Sequence, residues 1–401
     1  MASEQDRARH SCYRAQRVLQ GDRWLDDGLI RIDENGVIDS VEPFDPHEHI
    51  DFIDLGEVSI LPGLIDSHVH GAKGCDVMDA EHDSLNTMSR YFASLGVTAF
   101  VATTVTAPVA KIRAALKQVA VSKRHGVDGA EILGAYLEGP YFTEKNRGAH
   151  PTTWFRDLSL EELEQWISYC DDQLVTVALA PEKDGAIDAI RYLNKQGINV
   201  MLGHTDASYD QVKQALDAGA NGIVHCYNGM RGLHHRDPGV VGAGLIHPNS
   251  YVEMIADGHH VHSAAIDVAH RCCGQRMTLI TDAMSATGMP DGRYTLGEYE
   301  VQMKGGVVTT ESGSLAGSTL TLPQAVKNIH KWLNIPLEQA WLMASLTPAQ
   351  SLGLQHQLGT LEAGKRASMV AVKSDFSIVK TWVNGRLVFD ASVPSQEALC
   401  I

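Results

Sequence analysis

The sequence predicts an α/β protein: a (β/α)8 TIM barrel with a small β-sandwich domain formed by both termini. Three observations support this fold class. The length of 401 residues accommodates a barrel of roughly 250 residues and a smaller module. From residue 58 onward, apolar strands alternate with amphipathic helices, and short strands with tight turns occupy both ends of the chain.

Composition excludes several classes of partner. The chain is 44% hydrophobic and 20% charged, which is typical of a globular protein with a large core. Its 33 basic and 49 acidic residues give a net charge of −16, which argues against nucleic acid and anionic membranes as partners. We recognise neither a secretory signal nor a membrane span. The seven cysteines lack any Cys-x-x-Cys spacing, so we expect reduced thiols and a cytoplasmic protein.

The elements follow in order along the chain. Residues 13–60 read as short strands, with a hairpin turn at Asp33–Gly36. Capping-box patterns at Ser159-x-x-Glu162 and Ser208-x-x-Gln211 mark helix starts between the barrel strands. The eight predicted barrel strands are 58–66, 97–103, 131–137, 174–180, 198–202, 222–226, 252–256 and 277–281.

After the eighth strand the pattern becomes irregular. Residues 285–321 predict a hairpin inserted over the barrel mouth, and helices follow at about 322–333 and 337–345. Residues 358–390 return to short strands, with a turn at Asn384-Gly385. The predicted division is therefore 1–61 and 356–401 for the small β domain, and 62–355 for the catalytic barrel.

Metal-binding residue types lie at the carboxyl ends of five of the predicted barrel strands, either within the last residues or just after them. Chemistry in such barrels sits at the carboxyl ends of the strands, so these side chains are expected to share one centre. Positions i and i+2 of an extended chain point the same way, so both imidazoles of the first pair can reach one ion. Mixed imidazole and carboxylate donors favour Zn²⁺, with Fe²⁺, Mn²⁺ or Co²⁺ as alternatives. The six residues are His68, His70, Glu138, His204, His225 and Asp282.

Other candidate residues are weaker. His47 and His49 share the i, i+2 spacing but lie in a polar turn before the barrel, so we interpret them as surface residues. Cys226 directly follows His225, so the two side chains should diverge, and simple packing is the expected role of this thiol.

The ordered motifs resemble the amidohydrolase superfamily, and in particular its N-acetylglucosamine-6-phosphate deacetylase family. Together they span about residues 55–385, and the ordered set is far more specific than any single motif. The motifs are Pro62-Gly63-Leu64-Ile65-Asp66-x-His68-x-His70-Gly71, Leu137-Glu138-Gly139-Pro140, Gly148-Ala149-His150, Gly203-His204-Thr205, His225-x-x-Asn228-x-Met230, Asp257-Gly258-x-His260-Val261, Thr281-Asp282-Ala283-Met284 and Leu315-Ala316-Gly317-Ser318-Thr319.

The resemblance implies an activity: deacetylation of N-acetyl-D-glucosamine 6-phosphate to D-glucosamine 6-phosphate and acetate, in amino-sugar catabolism. It implies that Glu138, His204 and His225 hold the principal metal, whose bound water attacks the acetyl carbonyl with Asp282 as general acid/base. It implies further that His150, next to Ala149, binds that carbonyl, and that the enzyme is a homodimer, with a phosphate ligand that one subunit can donate to the other. The implied phosphate and sugar contacts are Asn228, Gly229, Arg236, His260, Leu315, Ala316 and Gly317.

Departures from the family pattern leave alternatives open. Some members lack the first His-x-His, whereas this chain has His68 and His70, so one or two ions per subunit are possible, with Glu138 bridging. The usual Asn-Ala-Met reads Asn228-Gly229-Met230 here, and His259 replaces the usual Leu, which leaves N-acetylgalactosamine 6-phosphate open as the substrate. A cyclic-amide hydrolase is disfavoured because the fourth strand, 174–180, has no lysine. A non-catalytic scaffold is disfavoured because all six ligand positions are occupied by competent residue types.

Overall fold

Strands and helices alternate along residues 11–297 and 299–393, which this computed structural model describes. In chain order the strands are β1 (Ser11–Gln20), β2 (Arg23–Ile32), β3 (Ile38–Pro43), β4 (Ile53–Asp54), β5 (Ser59–Pro62), β6 (Leu64–Val69), β7 (Gly71–Ala72), β8 (Cys75–Asp76), β9 (Val97–Thr104), β10 (Glu131–Glu138), β11 (Leu174–Leu179), β12 (Asn199–Leu202), β13 (Gly222–Ile223), β14 (Tyr251–Ile255), β15 (Met277–Ile280), β16 (Gly292–Leu296), β17 (Tyr299–Lys304), β18 (Val307–Thr310), β19 (Met369–Val372), β20 (Ile378–Val383) and β21 (Arg386–Asp390). The helices are α1 (His82–Ser94), α2 (Val109–His125), α3 (Leu160–Tyr169), α4 (Ala186–Lys195), α5 (Tyr209–Asp217), α6 (Gly239–Ile246), α7 (Ser263–Cys273), α8 (Leu322–Leu333), α9 (Leu337–Leu342) and α10 (Leu346–Ser351).

Eight parallel strands form the barrel. The sheet order is β6, β9, β10, β11, β12, β13, β14 and β15, so each strand pairs with the next along the chain. The two edges approach each other beyond the strand ends: the amide of Asp282 donates to the carbonyl of His68 at 3.0 Å, and that of His70 donates to Ala283 at 2.8 Å. The ring is therefore nearly closed, and the predicted (β/α)8 barrel is confirmed.

Apolar side chains fill the interior of the barrel. Every residue of β9 is buried, because its two faces contact the interior and the surrounding helices. Ile65, Val101, Tyr136 and Met201 belong to one buried cluster inside the ring. A filled interior leaves the carboxyl ends of the strands as the place for a binding site.

The predicted first strand, 58–66, is divided at Gly63. β5 pairs with β1 and β19 in the terminal sheet, whereas β6 begins the barrel. A Cβ atom at Gly63 would lie 2.1 Å from Oγ1 of Thr98, so only glycine permits this close approach. The prediction of one continuous strand was therefore wrong at this residue, where the chain passes from one domain to the other.

Strands from both ends of the chain form one eight-stranded sheet. Its order is β21, β20, β19, β5, β1, β2 and β3, and β4 pairs with β1. The sheet has its own apolar core, in which the rings of Tyr13 and Trp382 lie 5.0 Å apart. The predicted β-sandwich domain built from both termini is thus confirmed as part of the fold. The domain limits 1–61, 62–355 and 356–401 remain predictions, and residues 1–10 and 394–401 lie outside the described residues.

The insertion after the eighth barrel strand is a three-stranded antiparallel sheet, β16–β18, which adds one strand to the predicted hairpin. Leu296 and Val301 pack against Met284 in a small buried cluster. α8 has the predicted bounds, whereas the helix expected over 337–345 ends at Leu342. None of the helices in the part of the chain that the structure describes has the length and apolarity of a membrane span.

The two predicted capping boxes differ. Ser208 and Gln211 cap each other reciprocally at the start of α5. Ser159 accepts the amide of Glu162 at the start of α3, but the carboxylate of Glu162 does not return the bond. It accepts hydrogen bonds from Tyr141 at 2.7 Å and Arg156 at 2.5 Å instead, because these tertiary donors compete with the local amide.

Candidate metal centre and active site

Six metal-binding side chains converge at the carboxyl end of the barrel. His68 lies near the end of β6 and Glu138 ends β10, whereas His70, His204, His225 and Asp282 follow their strands by one or two residues. All six residues are buried. The structure therefore brings together the six residues that the sequence placed at strand ends.

Glu138 lies at the centre of this group. Its Oε1 is 3.3 Å from Nε2 of His204, 3.4 Å from Nε2 of His225 and 3.5 Å from Nε2 of His68. Its other oxygen, Oε2, is 3.3 Å from Nε2 of His70. The potential donor atoms form two sets, each with all its atoms within 4.8 Å of one another: Glu138, His204 and His225, and His68, His70 and Asp282.

Four of the imidazoles present the same nitrogen to the centre. In each ring Nδ1 lies within hydrogen-bonding distance of an oxygen that can only accept, so Nδ1 carries the hydrogen and Nε2 keeps a lone pair. The pairs are His68 with Glu253 Oε2 at 3.1 Å, His70 with the Thr103 carbonyl at 3.0 Å, His204 with the Asn146 carbonyl at 3.2 Å, and His225 with the Asn228 carbonyl at 3.1 Å.

This arrangement fits a divalent cation. The Nε2 atoms of His204 and His225 are 3.1 Å apart, a distance at which either a hydrogen or a cation must lie between the two nitrogens. Nε2 of His68 is buried and has no hydrogen-bond partner among the described residues. Burial and the neighbouring His150 lower the pKa of His204 to about 4, so this ring is neutral and able to bind a metal. Nitrogen and carboxylate donors together suit zinc and its first-row neighbours.

Three of the six residues have a left-handed backbone. The φ angles are 47° at His204, 25° at His225 and 50° at Asp282. Non-glycine residues adopt this region rarely and at a cost of roughly 1–3 kcal/mol each, and such residues cluster at functional sites. The local strain turns these side chains inward, directly after their strands end.

Asp282 is ionised in this environment. Burial raises the pKa of its carboxyl, but when the neighbouring imidazoles are protonated the hydrogen bond from His70 and their charges outweigh burial and lower the pKa to about 2. A cation bound at the Nε2 lone pairs would supply the same positive charge. Oδ1 of Asp282 lies 3.1 Å from Nε2 of His70. A permanently ionised carboxylate at the edge of the centre is suited to accept a proton.

His150 has the opposite hydrogen-bonding arrangement. The backbone amide of Thr106 donates to Nδ1 of His150 at 3.4 Å, and Oγ1 of Thr106 lies 2.9 Å from the same nitrogen. Nδ1 is therefore the acceptor, and Nε2 carries the hydrogen. His150 thus presents a donor where the other four imidazoles present lone pairs.

Five of the six residues line a cavity of about 300 Å³, large enough for a small polar ligand, and His68 is not among the lining residues. Thr106 and Tyr299 contribute to its wall, and the sequence had predicted neither. The predicted residues that line the cavity are His70, Glu138, Ala149, His150, His204, His225, Asn228, Gly229, His260, Asp282, Leu315 and Gly317.

Two predicted substrate contacts lie elsewhere in the described chain. Arg236 is exposed and is not among the residues that line the cavity; its guanidinium lies 2.8 Å from Nε2 of His235. Ala316 is buried behind the wall, in the apolar cluster beneath the inserted sheet. Its neighbours Leu315 and Gly317 face the cavity because alternate residues of an extended segment point in opposite directions.

Gly229 and His260, both predicted phosphate contacts, lie in the cavity wall. Gly229 has a φ of 60°, and a Cβ atom there would lie 2.8 Å from Nδ1 of His204. His260 donates from Nδ1 to Asp257 at 2.7 Å and takes part in the cavity wall.

Comparisons with known proteins agree with this geometry. Residues 59–388 match the amidohydrolase family. The chain is 77% identical over 391 residues to an N-acetylglucosamine-6-phosphate deacetylase of Vibrio furnissii, covering 97% of this chain and 98% of the relative. It is 50% identical over 374 residues to an N-acetylgalactosamine-6-phosphate deacetylase of Escherichia coli O157:H7, covering 93% and 98%.

A solved structure has nearly the same fold over nearly the whole chain. It is an aspartate-to-alanine variant of N-acetyl-D-glucosamine-6-phosphate deacetylase from Mycobacterium smegmatis in complex with N-acetyl-D-glucosamine-6-phosphate, with 32% identity and a TM-score of 0.90, covering 95% of this chain and 100% of that one. The resemblance inferred from the motifs is confirmed, and the chain belongs to the amidohydrolase family.

Proposed function

We propose that this chain is a metal-dependent deacetylase that hydrolyses N-acetyl-D-glucosamine 6-phosphate to D-glucosamine 6-phosphate and acetate, in amino-sugar catabolism. The observation that carries the proposal is the convergence of four imidazoles and two carboxylates beside a cavity of about 300 Å³. The activity of the Vibrio furnissii relative, as its name states it, supports the same substrate.

The amidohydrolase superfamily is metal-dependent, and the two donor sets define where ions would bind. Glu138, His204 and His225 would hold the principal ion, and His68 and His70 would hold a second one beside Asp282. When bound, such an ion polarises a carbonyl group and lowers the pKa of water towards about 7. We propose Zn²⁺ as the native metal, with Fe²⁺, Mn²⁺ and Co²⁺ as alternatives.

Asp282 moves the proton. Its carboxylate is ionised at neutral pH, because its pKa is about 2, and its side chain borders the cavity. It accepts a proton from the attacking water and delivers it to the departing nitrogen, so that glucosamine leaves as the amine. The same group therefore acts first as base and then as acid.

His150 binds the acetyl carbonyl. Its Nε2–H points away from Thr106, and Nε2 lies 3.5 Å from Oε2 of Glu138, at the edge of the centre. A donor held there stabilises the negative charge that develops on the carbonyl oxygen during attack.

We assign the residues of the cavity wall to two parts of the substrate, the sugar and the phosphate. Leu315 and Gly317 form an apolar surface for the sugar ring, and Asn228, Gly229 and His260 offer polar groups to the phosphate. No lysine or arginine occurs among the described residues that line this cavity. Because the chain has a net charge of −16, binding of a phosphate dianion requires a positively charged side chain nearby. We propose that Arg236 of a second subunit supplies it and that the enzyme is a cytoplasmic homodimer.

Acetate release from the purified, metal-loaded protein tests this function. We expect turnover of N-acetylglucosamine 6-phosphate, and much weaker turnover of unphosphorylated N-acetylglucosamine because the phosphate contacts are lost. Absence of acetate from a folded protein that contains its metal would refute the proposal.

The second candidate substrate is N-acetylgalactosamine 6-phosphate. It is favoured by the 50% identity to the Escherichia coli relative whose name includes this sugar. Measuring kcat/KM for both sugar phosphates with the same preparation decides between the two epimers.

A further inference from the structure

A third buried carboxylate adjoins the metal centre, beside Glu138 and Asp282. Glu253 lies in the middle of β14, between Val252 and Met254, and is 4% exposed. Its Oε2 lies 3.1 Å from Nδ1 of His68 and 3.4 Å from the backbone amide of His225. Glu253 therefore contacts one residue from each of the two donor sets.

Burial of the Glu253 carboxylate in these surroundings is unfavourable in free energy. Among the described residues, His68 is its only partner at ion-pair distance, and no lysine or arginine approaches it. Removing a carboxylate from water without a full counter-charge costs several kcal/mol. Leucine or methionine would fill the same position of an apolar strand at no such cost, so the carboxylate has a use beyond packing.

That use follows from the hydrogen bond to His68. Because Nδ1 of His68 donates to Glu253, Nε2 keeps its lone pair, 3.5 Å from Glu138 and 3.7 Å from Asp282. The ring of Tyr136, 4.8 Å away, packs against the imidazole. With the hydrogen on the other nitrogen, Nε2 could not bind a cation.

His68 differs from the other three imidazoles in the nature of its acceptor. His70, His204 and His225 each donate to a backbone carbonyl, which no substitution removes. His68 alone among the four depends on a side chain. The tautomer of His68, and with it the ability of His68, His70 and Asp282 to bind an ion, thus depends on Glu253 in β14.

We propose that Glu253 is a positioning residue that holds His68 in its metal-binding tautomer and thereby decides whether a second ion binds at His68, His70 and Asp282. This inference rests on the proposed function, because it assumes a metal centre. It concerns the number of ions and not the identity of the substrate. Glu253 touches the set of Glu138, His204 and His225 only through the backbone amide of His225, which is not a metal ligand, so we expect the ion at that set to be insensitive to Glu253.

Two substitutions of Glu253 separate the acceptor from the charge. Glu253→Met removes the acceptor at similar volume, whereas Glu253→Gln keeps an oxygen for His68 and removes only the charge. The full-length protein is stripped of metal and titrated with Zn²⁺ and with Co²⁺. Ions per subunit are counted by mass spectrometry, and calorimetry gives the affinity of each class. Glu131→Gln is the matched control, because Glu131 begins β10 at the opposite end of the barrel and pairs with Arg366.

We expect two ion-binding sites per subunit, each with its own affinity, in the wild type and in Glu131→Gln. Glu253→Met should lower the affinity for the ion at His68, His70 and Asp282 by about 10–100-fold and leave the affinity for the other ion unchanged. Glu253→Gln should lower the affinity by an intermediate factor. His68→Asn should lose the same class, and adding Glu253→Met to His68→Asn should cause no further loss. The unchanged class shows that the variants are folded.

Three results would overturn the inference. Glu253→Met could keep both classes at wild-type affinity, or it could lose both, which would mean that Glu253 supports the barrel and not His68. Finally, the wild type could bind a single ion under all conditions. In that last case acetate release by the single-ion enzyme would leave the proposed function standing, so the two failures are distinguishable.

Discussion

Replacing Asp282 by asparagine removes the proposed proton carrier with little change in shape. The backbone at this position has a φ of 50°, a conformation that asparagine tolerates better than most residues. Two backbone hydrogen bonds hold the segment independently of the side chain: Asp282 N to His68 at 3.0 Å, and Ser318 N to the Asp282 carbonyl at 2.7 Å. We therefore expect Asp282→Asn to fold.

The expected loss is catalytic. An amide cannot accept the proton of the attacking water, and loss of a positioned acid/base group lowers kcat by roughly 10²–10⁴. That factor corresponds to about 3–5 kcal/mol of transition-state stabilisation. The carboxylate has a pKa of about 2, so the wild-type enzyme has its base available at every pH near neutrality, and the defect of the variant should not be relieved by raising the pH.

The assay combines the rate of acetate release, the metal content and the melting temperature. Metal content is needed because Oδ1 of Asp282 lies 3.1 Å from His70 and belongs to the second donor set. Asp267→Asn, a surface aspartate paired with Arg271, is the control for the substitution itself. A folded, metal-loaded Asp282→Asn enzyme with near-wild-type turnover would refute the reasoning.

Four further predictions concern other parts of the molecule. Removing divalent ions with a chelator should abolish acetate release and lower the melting temperature, because buried Glu138 loses its counter-charge; calorimetry before and after adding Zn²⁺ checks this. Arg236→Ala should raise KM for the phosphorylated sugar alone, and an equal effect on N-acetylglucosamine would contradict phosphate recognition. Thr106→Val should lower kcat about tenfold, or ~1.4 kcal/mol, because the ring of His150 loses a hydrogen bond; unchanged kcat in steady-state kinetics would contradict it. Trp382→Ala should lower the free energy of unfolding by about 3–5 kcal/mol while kcat of the folded fraction persists, as urea denaturation and activity would show.

The barrel was predictable because its strands are buried on both faces. Segments such as Val97–Thr104 are wholly buried, so they appear in the sequence as short apolar runs between amphipathic helices. The metal-binding residues were predictable for a related reason: parallel strands in a barrel end on one side, so residues after different strands must meet there. The division at Gly63 was not predictable, because both halves of 58–66 are apolar and the reason for the break, Thr98, lies on the next strand.

Residues that act through others were harder to predict. Glu253 carries a signal, an acidic residue within an otherwise apolar strand, but that signal does not say which side chain it faces. Thr106 carries none, since a threonine after a strand is ordinary. Arg236 shows a different limit: the family resemblance implied a phosphate contact, yet in the described structure its guanidinium contacts His235.

The imidazoles show why residue type alone cannot assign roles at this site. His204 and His150 have ring centroids 4.3 Å apart and similar burial, yet one is suited to bind a metal and the other to donate a hydrogen bond. The difference lies in what faces Nδ1: the carbonyl of Asn146 accepts from His204, whereas the amide of Thr106 donates to His150. A neutral imidazole carries a single hydrogen. The group that contacts Nδ1 therefore determines whether Nε2 offers a lone pair or donates a hydrogen bond. The roles of these histidines are therefore determined largely by the backbone carbonyls and amides that contact Nδ1, and the fold sets the positions of those groups.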